Sequence, residues 1–324
     1  MINRRRFLWS AAAGVASIRM ARAAQPFAGG RPVTIIVPFA PGGGSDVIAR
    51  ILSFPLADAL KVPVIVENRP GAGGVVAARY VKAATADGTT LFMVDMGFSA
   101  GATLDRNARY HPLKDFTAVA SLGSVSSILT VKEGSPYHSL KELVAAGQRQ
   151  AGAITMASGG VGGSAHLIGA MFASQAGFQP THIPYRGMAP AMTDVLSGQA
   201  DFIVATAPVA LPYIRNDGIT AFAVTSTARI NALPNVATFA EQGYPGVIAD
   251  DVYGIVAPKG LSAELTAVLY QEITAIVRGD AFAARLAPLA TTALPMDSPQ
   301  AYAAFLESDF AKWRDVIQQN HIAQ

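Results

Sequence analysis

Two glycine-rich turns are the places in this sequence where backbone alone could do chemistry. Gly42-Gly43-Gly44-Ser45 follows the apolar run 33–39 and precedes a stretch with helical periodicity, 45–60. Gly159-Gly160-Val161-Gly162-Gly163-Ser164 follows Ile154-Thr155-Met156 and precedes a second such stretch, 165–176. The first turn of a helix leaves backbone N–H groups unpaired and carries partial positive charge. Glycines ahead of it let a ligand approach the main chain closely. Such a turn holds a carboxylate or phosphate without any basic side chain. Ser45 and Ser164 could cap the helices or add hydroxyl donors. One such turn reads equally well as a tight strand-to-helix connection. Two matched copies favour anion binding.

Other chemistries fit less well. The P-loop needs a lysine after its last glycine, and neither turn has one. Gly160-Val161-Gly162-Gly163-Ser164-Ala165 fits G-x-G-x-x-A, but no acid lies between it and Asp194 to hold a ribose. The first turn has Glu67 at about the ribose-partner distance but lacks the third small residue. An exported NAD(P)-dependent oxidoreductase is the strongest enzyme alternative. A hydrolase built on Ser99 is weaker. Gly97-Phe98-Ser99-Ala100-Gly101 matches G-x-S-x-G, but the residues after it predict a poor, short helix, and a nucleophile elbow needs a good one. The five histidines, His111, His138, His166, His182 and His321, include no H-x-x-x-H pair, so no helical metal site is expected. His166, in the first turn of the second helix, reads equally as a capping residue or as one facing a ligand. There are no cysteines, which removes disulfides and thiolate metal ligands. No cofactor and no metal is expected.

The elements that must position these turns alternate strand and helix. Strands are expected at 33–39, 64–66 and 91–94, with helices at 45–60 and 74–84 between them. This order implies a parallel sheet with right-handed crossovers. The pattern restarts with strands at 127–131, 154–156, 183–185 and 202–204, separated by helices. Strands at 221–224 and 253–256 and long C-terminal helices follow, with a break near Gly279 and Ser298-Pro299 as N-cap and N1. Two α/β units result, with boundaries near 116–124 and 220–225. The expected division is 24–122 with 224–324 as domain 1 and 123–223 as domain 2, a hinged clamp of two sheets flanked by helices.

The chain has 324 residues, 51% hydrophobic and 15% charged, a composition for folded cores rather than disorder. Its first residues look like an export signal. Arg4-Arg5-Arg6-Phe7-Leu8 is followed by a short apolar stretch and by Ala21-Arg22-Ala23, an A-x-A cleavage site. The arginine pair points to the twin-arginine route, with residues 1–23 removed. Five of the 25 basic residues and none of the 22 acids lie in that leader, so the remainder carries 20 basic against 22 acidic residues. The basic balance belongs to the leader, and neither a nucleic acid nor a membrane surface is an expected partner. The mature protein is expected to be soluble in the periplasm.

Several stretches together carry a family resemblance: VTIIVPFAPGGGSDVIARIL, VIVENRPGAGGVVAARYV, ADGTTLFM, HPLKDFTAVASLG, THIPYRGMAPAMTDVLSGQADF, LPYIRNDGITAFAVTSTARINALPNVATFAEQGYPG and YGIVAPKG. In this order the chain resembles the Bug-type periplasmic substrate-binding proteins of tripartite tricarboxylate transporters. The resemblance implies a hinged two-domain binding protein of the type II class. It also implies a small carboxylate held between the domains, delivery to a membrane permease, no catalysis and a monomer. It places ligand contacts at Phe39, Ala40, Pro41, Gly42, Gly43, Gly44, Ser45 and Asp46. In the second unit it places them at Ser158, Gly159, Gly160, Val161, Gly162, Gly163, Ser164 and His166, with Tyr185 and Arg186 near the cleft. The sequence departs from the family pattern at Ala205-Thr206-Ala207, at Asp250-Asp251-Val252 and at Met96-Gly97-Phe98. Met96, Phe98 and Thr206 would suit a ligand with an apolar or aromatic body.

Overall fold

The computed structural model describes residues 30–104, 107–319 and 322. The expected export signal lies outside them. The strands are β1 (Val33–Val37), β2 (Val64–Asn68), β3 (Thr90–Val94), β4 (Phe116–Lys132), β5 (Thr155–Ser158), β6 (Thr181–Pro184), β7 (Phe202–Thr206), β8 (Ile219–Val224), β9 (Asp250–Pro258) and β10 (Thr291–Ala293). The helices are α1 (Gly44–Leu60), α2 (Val75–Lys82), α3 (Met96–Leu104), α4 (Leu140–Arg149), α5 (Ser164–Gln175), α6 (Met188–Ser197), α7 (Ala207–Arg215), α8 (Ala263–Arg278), α9 (Asp280–Leu286) and α10 (Pro299–Gln319).

The strands follow the order β2-β1-β3-β9-β4-β7-β5-β6, with β8 and β10 also on β4. β1, β2 and β3 pair in parallel, as the β-α-β-α-β pattern requires, and so do β7, β5 and β6. β9 is antiparallel to both β3 and β4. The sequence marks 116–124 as a boundary, but these residues form part of one continuous strand. β4 pairs with β9 from Phe116 to Ser126 and with β7 from Ser127 to Val131. It therefore changes partner between adjacent residues and belongs to two curled sheets. The chain crosses again after β8, where the Thr225 hydroxyl accepts from Ser127 N–H at 2.8 Å and the Thr225 carbonyl accepts from Ala249 N–H at 3.2 Å.

β1, β3 and β7 are buried along most of their length, which explains their near-continuous apolar composition. One core packs α1 and α8 against the sheets, with Ile48, Leu52, Leu56, Leu269 and Ile273. A second gathers Leu167, Ile168, Phe172, Phe202 and Phe239 around α5. A third holds Phe92, Phe98, Tyr110 and Phe116. α10 reaches two of these cores, with Tyr302 and Leu306 in the third and Trp313 and Ile317 in the second. The architecture is α/β, two curled sheets flanked by helices and joined through β4.

Candidate functional site

The two glycine turns have the same local geometry. Gly42 has φ +84° and Gly162 has φ +83°, values that an L side chain rarely adopts. The next residues, Gly43 (φ −76°, ψ 166°) and Gly163 (φ −73°, ψ 163°), are the N-caps of α1 and α5. Ser45 and Ser164 are therefore not the caps, because each lies already within its helix. Neither N-cap has a side-chain cap, and the turn before it is tied from further along. The Asp46 carboxylate accepts from Gly42 N–H at 2.9 Å, and His166 Nδ1 accepts from Gly162 N–H at 3.1 Å. Residues of different type thus do the same work, each tying its turn back onto the helix that follows.

Their environments fit this role. Burial alone would raise the Asp46 pKa, but Arg50, the Gly42 N–H and Asn68 outweigh it and hold the carboxyl below its ordinary value. Asn68 bridges Asp46 and the Phe39 carbonyl, both at 2.9 Å, and so fixes the turn against β2. Burial, with the neighbouring His182, pushes His166 down to about 3. The ring is neutral at physiological pH, so its Nδ1 is free to accept.

The two helix N-termini face one tight cavity between them. Gly43, Gly44 and Ser45 line it from one lobe, and Gly163, Ser164 and Ala165 from the other. Phe39, Asp95, Gly159, Met188, Thr206 and Tyr253 complete its wall. Among the described residues, no lysine, arginine or histidine lines it. The lobes meet around it through glycines. A Cβ on Gly73 would strike the Val161 carbonyl oxygen, and one on Gly187 would come 2.8 Å from the Ala40 Cβ. A wider groove between α8 and α10, lined by Leu261, Tyr270 and Leu306 among others, contains no glycine turn. The smaller cavity is the one that concentrates main-chain donors.

One acid lies within this anion-friendly shell. Asp95, at the end of β3, accepts from Ser45 Oγ at 2.9 Å and from Gly97 N–H at 3.0 Å. Burial pushes its pKa up to about 6 against the pull of these two donors, and Asp309 adds to the rise. Asp251 lies behind it, accepting from Met96 N–H at 2.8 Å, and burial and Asp95 raise its pKa too.

Of the residues expected at the site, Phe39, Gly43, Gly44, Ser45, Gly159, Gly163, Ser164 and Thr206 line the cavity. Gly42, Asp46, Gly162 and His166 build the turns from behind. Gly160 and Val161 lie at the seam against Gly73. Ala40 meets Gly187, while Pro41 and Arg186 are exposed. Ser158 bonds His182 Nε2 at 2.6 Å, and Tyr185 donates to Asp194 at 2.5 Å. Met96 and Phe98 do not reach the cavity. Phe98 packs with Phe92, Tyr110 and Phe116, ring centroids 5.1–5.7 Å away, and Met96 joins the second core.

Sequence reasoning missed Asp95, Ala165, Met188 and Tyr253. The signal for Asp95 was an acid directly after an apolar strand. Ala165 follows from the helix start, but Met188 and Tyr253 arrive from distant elements.

The other chemistries find little support. Glu67 is an ion-pair partner of Arg69 at 2.6 Å and does not line the cavity. α3 spans the motif itself and ends at Leu104, so only a short end of helix follows Gly101. Ser99 is fully buried inside α3 rather than presented at a strand-to-helix turn.

The comparisons with known proteins agree with this geometry. Residues 48–322 match the model of the tripartite tricarboxylate transporter family receptor, TctC. Protein BugT of Bordetella pertussis is 31% identical over 291 residues, 89% of each chain. The structure of the periplasmic binding protein BugD superposes with a TM-score of 0.87 at 31% identity, covering 90% of this chain and 98% of that one. MatC from Rhodopseudomonas palustris with bound malate superposes with a TM-score of 0.85 at 29% identity, over 89% of this chain and 99% of that one. The chain belongs to the tripartite tricarboxylate transporter receptor family, a family of solute-binding receptors.

Proposed function

We propose that this protein captures a small carboxylate in the periplasm and presents it to the membrane permease of a tripartite tricarboxylate transporter. It makes and breaks no bond. The observation that carries this reading is the facing pair of glycine turns. Two helix N-termini converge on one cavity that, among the described residues, no basic side chain lines, an arrangement suited to a carboxylate held by main-chain N–H groups. Malate bound to MatC supports the same ligand chemistry. Residues 24–122 with 224–324 and residues 123–223 act as the two bodies of the clamp, hinged where β4 changes partner and near Thr225. Export uses the twin-arginine signal with cleavage after residue 23, and the protein works as a monomer.

Thermal melting against a panel of mono-, di- and tricarboxylates, amino acids and dinucleotides tests the reading. A ligand that binds only the folded state adds roughly 2.7 kcal/mol at a hundred times its dissociation constant. A raised midpoint with one class of carboxylate is expected. A rise with NAD(P) alone would replace this reading with an oxidoreductase.

A further inference from the structure

We propose that Asp95 makes the cleft selective for a carboxylate that also carries an ammonium group. The ligand carboxylate lies on the two helix N-termini and its ammonium on Asp95. This deepens the carboxylate-binding reading above and rests on it.

Asp95 lines the cavity with the turns, and its Oδ2 is bonded to Ser45, one of the first residues of α1. The carboxylate therefore faces the space where the cargo would lie. The Thr206 hydroxyl, on a residue 4% exposed, lines the same cavity and lies against the Tyr253 hydroxyl. Its position beside Tyr253 is fixed by Gly44, where a Cβ would meet both hydroxyls. Asp95 is thus the charged side chain that faces the cargo, with these hydroxyls beside it.

Charge decides which cargo. The groups that act on Asp95 from the packed elements are Asp309 of α10, half-buried, and Asp251 of β9, fully buried, and both are acids. The donors to Asp95, the Ser45 hydroxyl and the Gly97 amide, are neutral. A second carboxylate placed here would face like charges in a site where water cannot screen them. An ammonium would supply the missing counter-charge and donate a hydrogen bond of the stronger, charge-assisted kind. Burial raises the Asp95 pKa only to about 6, so the acid is mostly ionised at neutral pH and can hold a cation.

Two sets of compounds that differ in one group test the proposal. The first is 4-aminobutyrate, 4-hydroxybutyrate, butyrate and succinate. The second is alanine, lactate and propionate. Calorimetry at pH 7.5 is expected to show an amino member binding at least tenfold tighter than its hydroxy, unsubstituted and dicarboxylate counterparts. Asp95→Asn is expected to remove that preference. In the wild type, amino-acid affinity should fall as pH drops from 7.5 to 5, while dicarboxylate affinity rises. This pH test does not require the variant to fold. A dicarboxylate or hydroxy acid as tight as the amino acid, or a preference that survives in Asp95→Asn, would overturn the role of Asp95 and leave carboxylate capture standing. Binding of dinucleotides with no carboxylate bound would overturn both.

Discussion

His166 and His182 lie ring on ring, centroids 4.0 Å apart and nearly parallel. Neither can take a proton without cost. Burial and the neighbouring ring hold His166 at about 3, and burial holds His182 at about 4. An unfolded histidine takes its proton near pH 6.5. Their contribution to stability is therefore complete above about pH 6.5 and is lost as pH falls toward 4. Asp95 and Asp251 act in the opposite sense, since their raised values keep protons in the folded state that the unfolded chain releases. The whole-protein acid curve mixes these effects, and a variant separates them. His166→Asn retains an oxygen that can accept from Gly162. Urea unfolding at several pH values should show it gaining roughly 1.4 kcal/mol per pH unit on the wild type between pH 6 and 4. Parallel curves would mean that His166 titrates normally. The position of His166 after the second turn was legible in the sequence, but its stacking partner was not. His182 comes from β6, placed beside β5 by sheet order rather than by spacing.

At the scale of the element, the two strand-turn-helix units were the most legible part of the molecule. Their geometry demands glycine at fixed offsets, with a positive φ at Gly42 and Gly162 and an extended cap at Gly43 and Gly163. Such demands leave a mark in the residues themselves. Asp46 is the part of the first unit most open to test. Asp46→Ala would free the Gly42 amide, Arg50 and Asn68 together and should cost about 1–2 kcal/mol, the range for a lost helix cap. It should also weaken carboxylate binding several-fold, because the first turn would no longer be held in place. Asp46→Asn keeps an acceptor and should recover most of both. Melting and calorimetry on the pair check this, and equal losses in the two variants would show that charge rather than the acceptor matters. The aromatic lining expected from Met96 and Phe98 failed for an element-level reason. Those residues open a helix directly after β3 and turn into the core, whereas strand alternation would have placed one of them in the cleft.

At the scale of the whole molecule, Tyr253 was illegible because β9 enters the sheet antiparallel between β3 and β4 from about 160 residues beyond β3. The seam between the lobes is made of backbone. Gly73, at φ +60°, meets the Val161 carbonyl so closely that no side chain fits between them. Gly73→Ala adds about 1–2 kcal/mol of conformational strain in any state, but it collides with Val161 only when the lobes touch. The variant should therefore stay folded and lose more than tenfold in ligand affinity. Small-angle scattering should show no compaction on adding ligand, and compaction equal to the wild type's would count against the seam. The same seam has a practical side. The chain has no cysteine, and exposed Pro41 and Arg186 flank the contact of Ala40 with Gly187. A single cysteine introduced at either residue would be the only thiol available for labelling. An environment-sensitive dye there would be shielded from water when the lobes meet and exposed when they part. The protein would then work as an optical reporter for its own cargo, readable in crude mixtures before that cargo is named.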